Sequence, residues 1–472
     1  MSKYGVLMIL MATMLFVLNA ANATVWYVHP DSTLNSIQVA LSYCTSDDTV
    51  LVGPGTYYEN ITWPNTHGIR LTSELGADTT IINAGGVARG ILVHYDVDTT
   101  TVISGFTIRN GYSSYHGGGI YCDSGSSPLI MNNIITNNNG GAYGGAIRCY
   151  RSSPIISDNI IINNTAQYLG GGISCEYSQA VITLNNITDN TTTAAYGGGI
   201  ACYLSSPLIE DNTIANNTAN FAGGGINCSN SSAVIIDNII TGNSAGIKGG
   251  GISVYQDVST EIIANLITQN SAVYTGGGIA CEDHCSPSIR RNTISYNVVP
   301  HYGGGIYCYV YSYPTIDSCT ISNNDRDGVC CALASSPVLH YNNITDNIGY
   351  GVANRDSTYT IGATENWWGD PSGPGGAGPG TGNPVSRWVE YNPWRTDSVQ
   401  WTGVQEQPIS KVVEDHQNLS ATIFSGPLQL PEGKKCKVFD IMGRVMEPDK
   451  IRPGIYFIEV EGVVTQKVVK VR

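Results

Sequence analysis

Arg148, with Asp123 before it and Glu176 after it in a repeating pattern, is the group best suited to chemistry on a charged substrate. A lyase acting on a uronate needs an arginine or a cation to neutralise the carboxylate, and a base to accept a proton. Arg148, Glu176 and Asp123 are residues of those types and are the candidate catalytic set. The same pattern alternates acids with tyrosines: Tyr150, Glu176, Tyr203, Tyr255, Glu282 and Tyr309 are the candidate ligand-binding residues. Exposed aromatic faces flanked by carboxylates are what a sugar groove uses. Tyrosine also favours exposed strand positions for its own sake. Glu176 and Glu282 are four repeats apart, about 19 Å at the spacing of paired strands, too far for the carboxylate pair of a glycosidase. Asp211 and Asp237 occupy equivalent positions in adjacent repeats, with Glu210 beside them. Carboxylates that close repel unless a proton or cation intervenes. Ca2+ is therefore the candidate cation for Glu210, Asp211 and Asp237, and no other cofactor is expected.

What positions these residues is a unit of 26–27 residues repeated nine times from about Gly117 to Asn347. It reads Gly-Gly-Gly-Ile-x-Cys, a polar stretch, then Pro-x-Ile-x-x-Asn-x-Ile-x-x-Asn. Three apolar columns run through it, beginning at Ile120, Ile130 and Ile135. A fixed period in this range means a solenoid, a propeller or an array. Short apolar runs broken by Gly, Asn and Pro are strands of a few residues. No unit contains a helical stretch, and propeller blades are longer, so the reading is a β-helix with one unit per coil. Two asparagine columns, from Asn133 to Asn342 (with Cys319 as the exception) and from Asn138 to Asn347, read as amide ladders between stacked coils. Asparagine also tolerates bent backbone, so the same columns are expected at the corners.

The pattern resembles the right-handed parallel β-helix superfamily that includes pectate lyases. The stretch Ser36–Leu41, then Asp48–Val52 and Pro54–Tyr57, resembles the capping helix and first coil of that family; Asn366-Trp367-Trp368-Gly369 with Gly373-Pro374 resembles its final coil. The Gly-Gly-x-Ile and Ile-x-x-Asn pairs also resemble the repeats of chlamydial polymorphic membrane proteins, which are adhesins. The resemblance covers residues 26–394. It implies the fold more than an activity, because this fold hosts lyases, hydrolases, adhesins and inert spikes.

The fold class is therefore all-β: a right-handed parallel β-helix of about a dozen coils with a small C-terminal β-sandwich. Residues 1–23, with Lys3, an apolar run and Ala21-Asn22-Ala23, read as a secretory signal peptide. Residues 24–116 are the cap and first coils, 117–356 the regular repeats, and 357–396 the last coil and cap. In that cap Trp367, Trp368, Trp388 and Trp394 are available to cover the open end, which would otherwise be an exposed sheet edge. Residues 397–408 are a linker. Residues 409–472 read as a small antiparallel sandwich and resemble the sorting domain of type IX secretion substrates, on Asp440, Gly443, Arg444, Gly454, Tyr456 and Lys467-Val468-Val469. That resemblance implies export, with the secretion machinery as a partner of 409–472, and a protein that is secreted or held on the outer cell surface.

The net charge of −14 is uneven: residues 409–472 hold 10 Lys+Arg against 8 Asp+Glu, leaving −16 on the rest. Between Lys3 and Lys411 the only lysine is Lys248. So acidic a body argues against nucleic acid and anionic membrane as partners, and no segment after the signal is long and apolar enough to span a membrane as a helix. An extracellular glycan or a surface protein is the expected partner. Of 13 cysteines, Cys122, Cys149, Cys175, Cys202, Cys228, Cys281, Cys308 and Cys331 fill one inward column. Parallel side chains give poor S–S torsions, so a reduced ladder is expected. Three functions remain open at this point: a binder without catalysis, a polysaccharide lyase or hydrolase on the Tyr/acid face, and a structural spike.

Overall fold

The computed structural model describes residues 23–256 and 259–400, and beyond them five strands between Ala421 and Lys470 with a few residues around them. The expected solenoid is present. Each regular coil contributes three short strands, as in Ile147–Tyr150, Ile155–Ser157 and Ile160–Ile162. Equivalent strands stack in parallel into sheet I (14 strands, containing Ile147–Tyr150), sheet II (15 strands, containing Ile155–Ser157) and sheet III (12 strands, containing Ile160–Ile162). The fifteen strands of sheet II correspond to about fourteen turns, more than the dozen expected. A fourth, five-stranded ladder of two-residue strands begins at Thr165–Ala166 and ends at Ser271–Ala272.

Strict register follows from the side-chain period of two: a slip by one residue would turn every inward isoleucine to solvent. Ile147 pairs with Ile173, Ile156 with Ile182, and Ile161 with Ile187. All six are fully buried, each contributing roughly 2 kcal/mol by burial. The thiols stack between them, Cys122 on Cys149 on Cys175, and none of the thirteen cysteines is joined in a disulfide. At the N-terminal end the helix Ile37–Tyr43 covers the first coil with Ile37, Ala40 and Leu41. Its start is tied down by the Glu59 carboxylate, which accepts from the backbone N–H groups of Ile37 and Gln38 at 2.8 Å.

The asparagine ladders form, and their chemistry is complete. The Nδ2 of Asn190 donates to the Ile161 carbonyl at 2.8 Å and to Asn217 Oδ1 at 3.1 Å, while Asn217 Oδ1 also accepts from the Asn190 backbone N–H at 3.0 Å. The ladders continue past the repeats onto Asn366 and Asn383. Their expected role at the corners is corrected. The left-handed residues are those just before the ladder asparagines, such as Asn163 (φ 57°), Asp189 (φ 53°) and Asn216 (φ 54°). A ladder residue must hold its amide inward along the stack, so its neighbour takes the bend.

At the C-terminal end Trp368 is fully buried and Trp394 packs on the core, as a cover requires, but Trp388 stands 55% exposed. Beyond residue 420 the described strands make one five-stranded sheet rather than a demonstrated sandwich. It is also not all antiparallel: Ala421–Phe424 runs parallel to Val463–Lys470. The first and last strands of a unit, joined through the others, are free of the hairpin constraint that forces antiparallel neighbours. The signal-peptide reading and the linker from residue 401 fall outside the described residues, as do Gly443 and Arg444 of the sorting resemblance.

Candidate functional site: the outer face of sheet I

Two outward columns run along sheet I. One lies between the repeat isoleucine and the thiol: Tyr121, Arg148, Ser174, Ala201, Asn227 and onward to Tyr307. The other follows the thiol: Tyr150, Glu176, Tyr203, Ser229, Tyr255, Glu282, Tyr309. The expectation of an exposed face is corrected at four positions by burial. Tyr121 is 7% exposed, Arg148 2%, Tyr307 6% and Glu282 5%. The cause is a third column, the residue just before the glycines, which pairs from coil to coil in the series His116, Tyr143, Leu169, Tyr196, Ala222, Lys248, Thr275 and Tyr302. This column leans over the first and makes a wall. His116 stacks on Tyr121 with centroids 5.5 Å apart, Tyr143 lies 4.3 Å from the Arg148 guanidinium, and Lys248 forms an ion pair with Glu282. The face is thus a strip walled along one side, the sheet I channel. Tyr203 remains 36% exposed on its floor, and Tyr150, Glu176, Tyr255 and Tyr309 are half-buried.

The Arg148 group is brought together. Arg148 Nη2 contacts Glu176 Oε2 at 2.5 Å, and the guanidinium also lies 5.4 Å from the Tyr150 ring. Arg151 covers Tyr150 at 5.2 Å and Tyr177 at 5.7 Å, and Arg89 covers Tyr121 at 4.9 Å. Burial, helped by the Arg148 and Arg89 charges, holds the His116 imidazole below its ordinary pKa. Burial and the adjacent Asp123 push the Tyr121 phenol up to about 12. Several buried polar atoms here have no hydrogen-bond partner in the protein: Arg148 Nε and Nη1, His116 Nδ1, Asp123 Oδ1, Ser174 Oγ and Asn227 Nδ2. An unmet buried donor or acceptor costs about 1–3 kcal/mol, so these atoms concentrate unspent bonding capacity on one face. Asp123 and Glu176 flank Tyr150 two coils apart, about 10 Å between backbones.

Glu210, Asp211 and Asp237 lie elsewhere, at the sheet II–sheet III bend. Asp211 and Asp237 stack in consecutive turns, each left-handed at φ 54°, and each has a buried Oδ2 without a partner. Glu210 ends the strand Leu208–Glu210 and does not complete a ligand set: among the described residues no three His, Cys, Asp or Glu side chains are grouped to hold a metal. Burial first, and then the Asp237 charge, raise the Asp211 pKa from 3.8 to about 6. A carboxyl raised in the folded state adds stability below its unfolded pKa, and that contribution is lost as pH rises through 6. Asp211→Asn is accordingly expected to unfold at higher urea than the parent at pH 7, by about 1 kcal/mol once solvent screening of this half-exposed group is allowed for, and to match it at pH 4. Stabilisation of the parent alone by Ca2+ at pH 7 would show instead that the pair takes a cation.

The reading of residues alone found the floor columns and the Arg148 group but missed the wall. Its signal was available: the position before the glycines carries His116, Tyr143, Tyr196 and Tyr302 at the repeat spacing.

A stacked parallel solenoid with a channel, walled along one side, on one sheet is the architecture that this geometry defines. The right-handed β-helix region family matches the chain over residues 57–219, 90–265 and 207–367. These matches together span well over half of the sequence, and the chain belongs to that family. No curated protein matches it.

Proposed function

We propose that this is an exported glycan-binding protein that lays a polysaccharide along the sheet I channel, at the cell surface or in the medium. The observation that carries the reading is the row of at least partly exposed tyrosines and Glu176 on one face: Tyr150, Glu176, Tyr203, Tyr255 and Tyr309. Aromatic rings stack on sugar faces, and a partly exposed carboxylate such as Glu176 accepts from sugar hydroxyl groups. Tyr203 and Tyr255 are two coils apart, about 10 Å, roughly one disaccharide of an extended chain. Export would use the N-terminal signal and, through residues 409–472, the type IX machinery; a surface glycan or glycoprotein is the partner.

The test is retention of a polysaccharide panel, neutral and uronate, on immobilised protein. Tyr203→Ala/Tyr255→Ala is expected to weaken retention about tenfold or more, since each aromatic contact is worth roughly 0.5–1.5 kcal/mol. Retention unchanged by the double substitution would overturn the reading in favour of the spike.

One observation favours a second reading, a polysaccharide lyase or hydrolase. Asp123 and Glu176 are two carboxylates on one face, two coils apart, with the buried Arg148 beside Glu176. Release of reducing ends that is abolished in Glu176→Gln and Asp123→Asn would establish it. Glutamine is the appropriate change because Glu176→Ala would strand a buried guanidinium.

A further inference from the structure

The sheet I channel has a distinctive end. Past the last regular strand of the sheet, Val352–Asn354, the segment Ser386–Trp388 crosses and leaves a cavity of about 330 Å3 lined by Tyr350, Asn354, Arg355, Ser386, Arg387 and Trp388. That is the small end of the range for ligand sites, roughly 300–1,000 Å3, and suits one or two sugar rings.

Its walls are fixed. Asn354 N donates to Ser386 Oγ at 2.7 Å, and Asn354 Nδ2 donates to the Trp388 carbonyl at 3.0 Å. Ile361 N donates to the same carbonyl at 3.0 Å. These bonds hold Trp388 at φ +66°, a left-handed conformation costly for a bulky residue, with its indole 55% exposed instead of packed on the end of the stack. A large apolar ring kept in water by a strained backbone is arranged for a ligand.

The charge points to the ligand's character. Arg355 lies 4.5 Å from the Tyr302 ring and 3.2 Å from Asp327, yet its side chain remains 41% exposed. Arg387 makes no ion pair among the described residues. The nearby acids are occupied: Asp327 accepts from Tyr350 N as well as from Arg355, and Asp356 accepts from Ala334 N and from the Thr358 N–H and hydroxyl. In a chain of net charge −14, this is a local site for a negative group.

We propose that the pocket binds an anionic sugar at the end of a glycan chain, with the ring stacked on Trp388 and its carboxylate or sulfate held by Arg387 and Arg355. This rests on the glycan reading of the channel and adds polarity to it: the chain would be recognised by its end. The test is titration of the full-length exported protein, followed by tryptophan fluorescence, with oligogalacturonate, a sulfated carrageenan tetrasaccharide and neutral cellotetraose.

The expected result is saturable binding of one or both anionic oligosaccharides, at least tenfold tighter than cellotetraose. It should weaken at least tenfold in Arg387→Ala and in Trp388→Ala, recover in part in Arg387→Lys and Trp388→Phe, and remain intact in Asn186→Ala, at an exposed position of sheet III. Which anionic probe binds tells carboxylate from sulfate. Equal affinity for neutral and anionic probes, or none for any, overturns the pocket, as does binding indifferent to Arg387 and Trp388. Polymer retention on the same samples separates the two ideas: retention lost only in Tyr203→Ala/Tyr255→Ala leaves the channel standing without the pocket.

Discussion

Asn217→Ala is expected to lower the unfolding free energy by about 4 kcal/mol, read as the shift in urea midpoint by circular dichroism. Asn217 is fully buried, and its amide serves four groups. Its Oδ1 accepts from the backbone and side chain of Asn190, and its Nδ2 donates to the Ile187 carbonyl at 2.8 Å and to Asn243 Oδ1 at 3.0 Å. Alanine leaves the Asn190 backbone N–H and the Ile187 carbonyl without those partners, at about 1–3 kcal/mol each, and opens a small cavity. In a solenoid each coil contacts only its neighbours. The loss therefore falls on one junction, and hydrogen exchange should show protection dropping first in the coils on either side of residue 217. Asn186→Ala, at an exposed position of sheet III, is the control and should be near neutral. A drop below 1 kcal/mol in Asn217→Ala would mean that the ladder is not a principal source of cohesion.

Gly198→Ala is expected to cost about 3 kcal/mol or more, by the opposite mechanism. A Cβ at Gly198 would lie 2.5 Å from the Gly224 carbonyl oxygen and 2.6 Å from backbone atoms of Thr218. These atoms cannot rotate away as a side chain could. Overpacking against movable neighbours already costs about 1–3 kcal/mol; here the next coil itself must move, and with it the register of sheet I. The channel wall is built on this segment, so glycan retention should fall together with the thermal midpoint. A protein with unchanged midpoint and retention would contradict the close packing of the glycine strips.

Much of this architecture could be read before any coordinates because stacking converts sequence period into spatial adjacency. Once Ile147 and Ile173 are recognised as equivalent, their contact follows, and so do those of Cys149 with Cys175 and Tyr150 with Glu176. What remained hidden depends on angles that a period does not encode. Whether the column of His116 and Tyr143 points away from sheet I or folds over it is decided by the backbone between the fourth ladder and the glycines. Burial of Arg148 and Glu282 follows from that alone. The corner role went to the wrong asparagine because asparagine suits both an amide ladder and a left-handed bend, and the columns of Asn163 and Asn164 are adjacent. Trp388 was read as a cover because exposed and buried tryptophans look alike in a sequence; its left-handed backbone turns it outward.

The ladders have a further consequence for how such a protein can change length. Every coil offers its successor the same row of isoleucines, thiol and two amides. One whole unit could be removed or duplicated between, say, Asn190 and Asn217, and the new junction would be chemically the same as the old. Loss of half a unit would leave amides facing isoleucines. The rod is therefore quantised: it can lengthen or shorten only in steps of about 4.8 Å. Each step carries the terminal pocket at Trp388 nearer to or farther from Arg148 by one strand, a ruler whose divisions are the coils themselves.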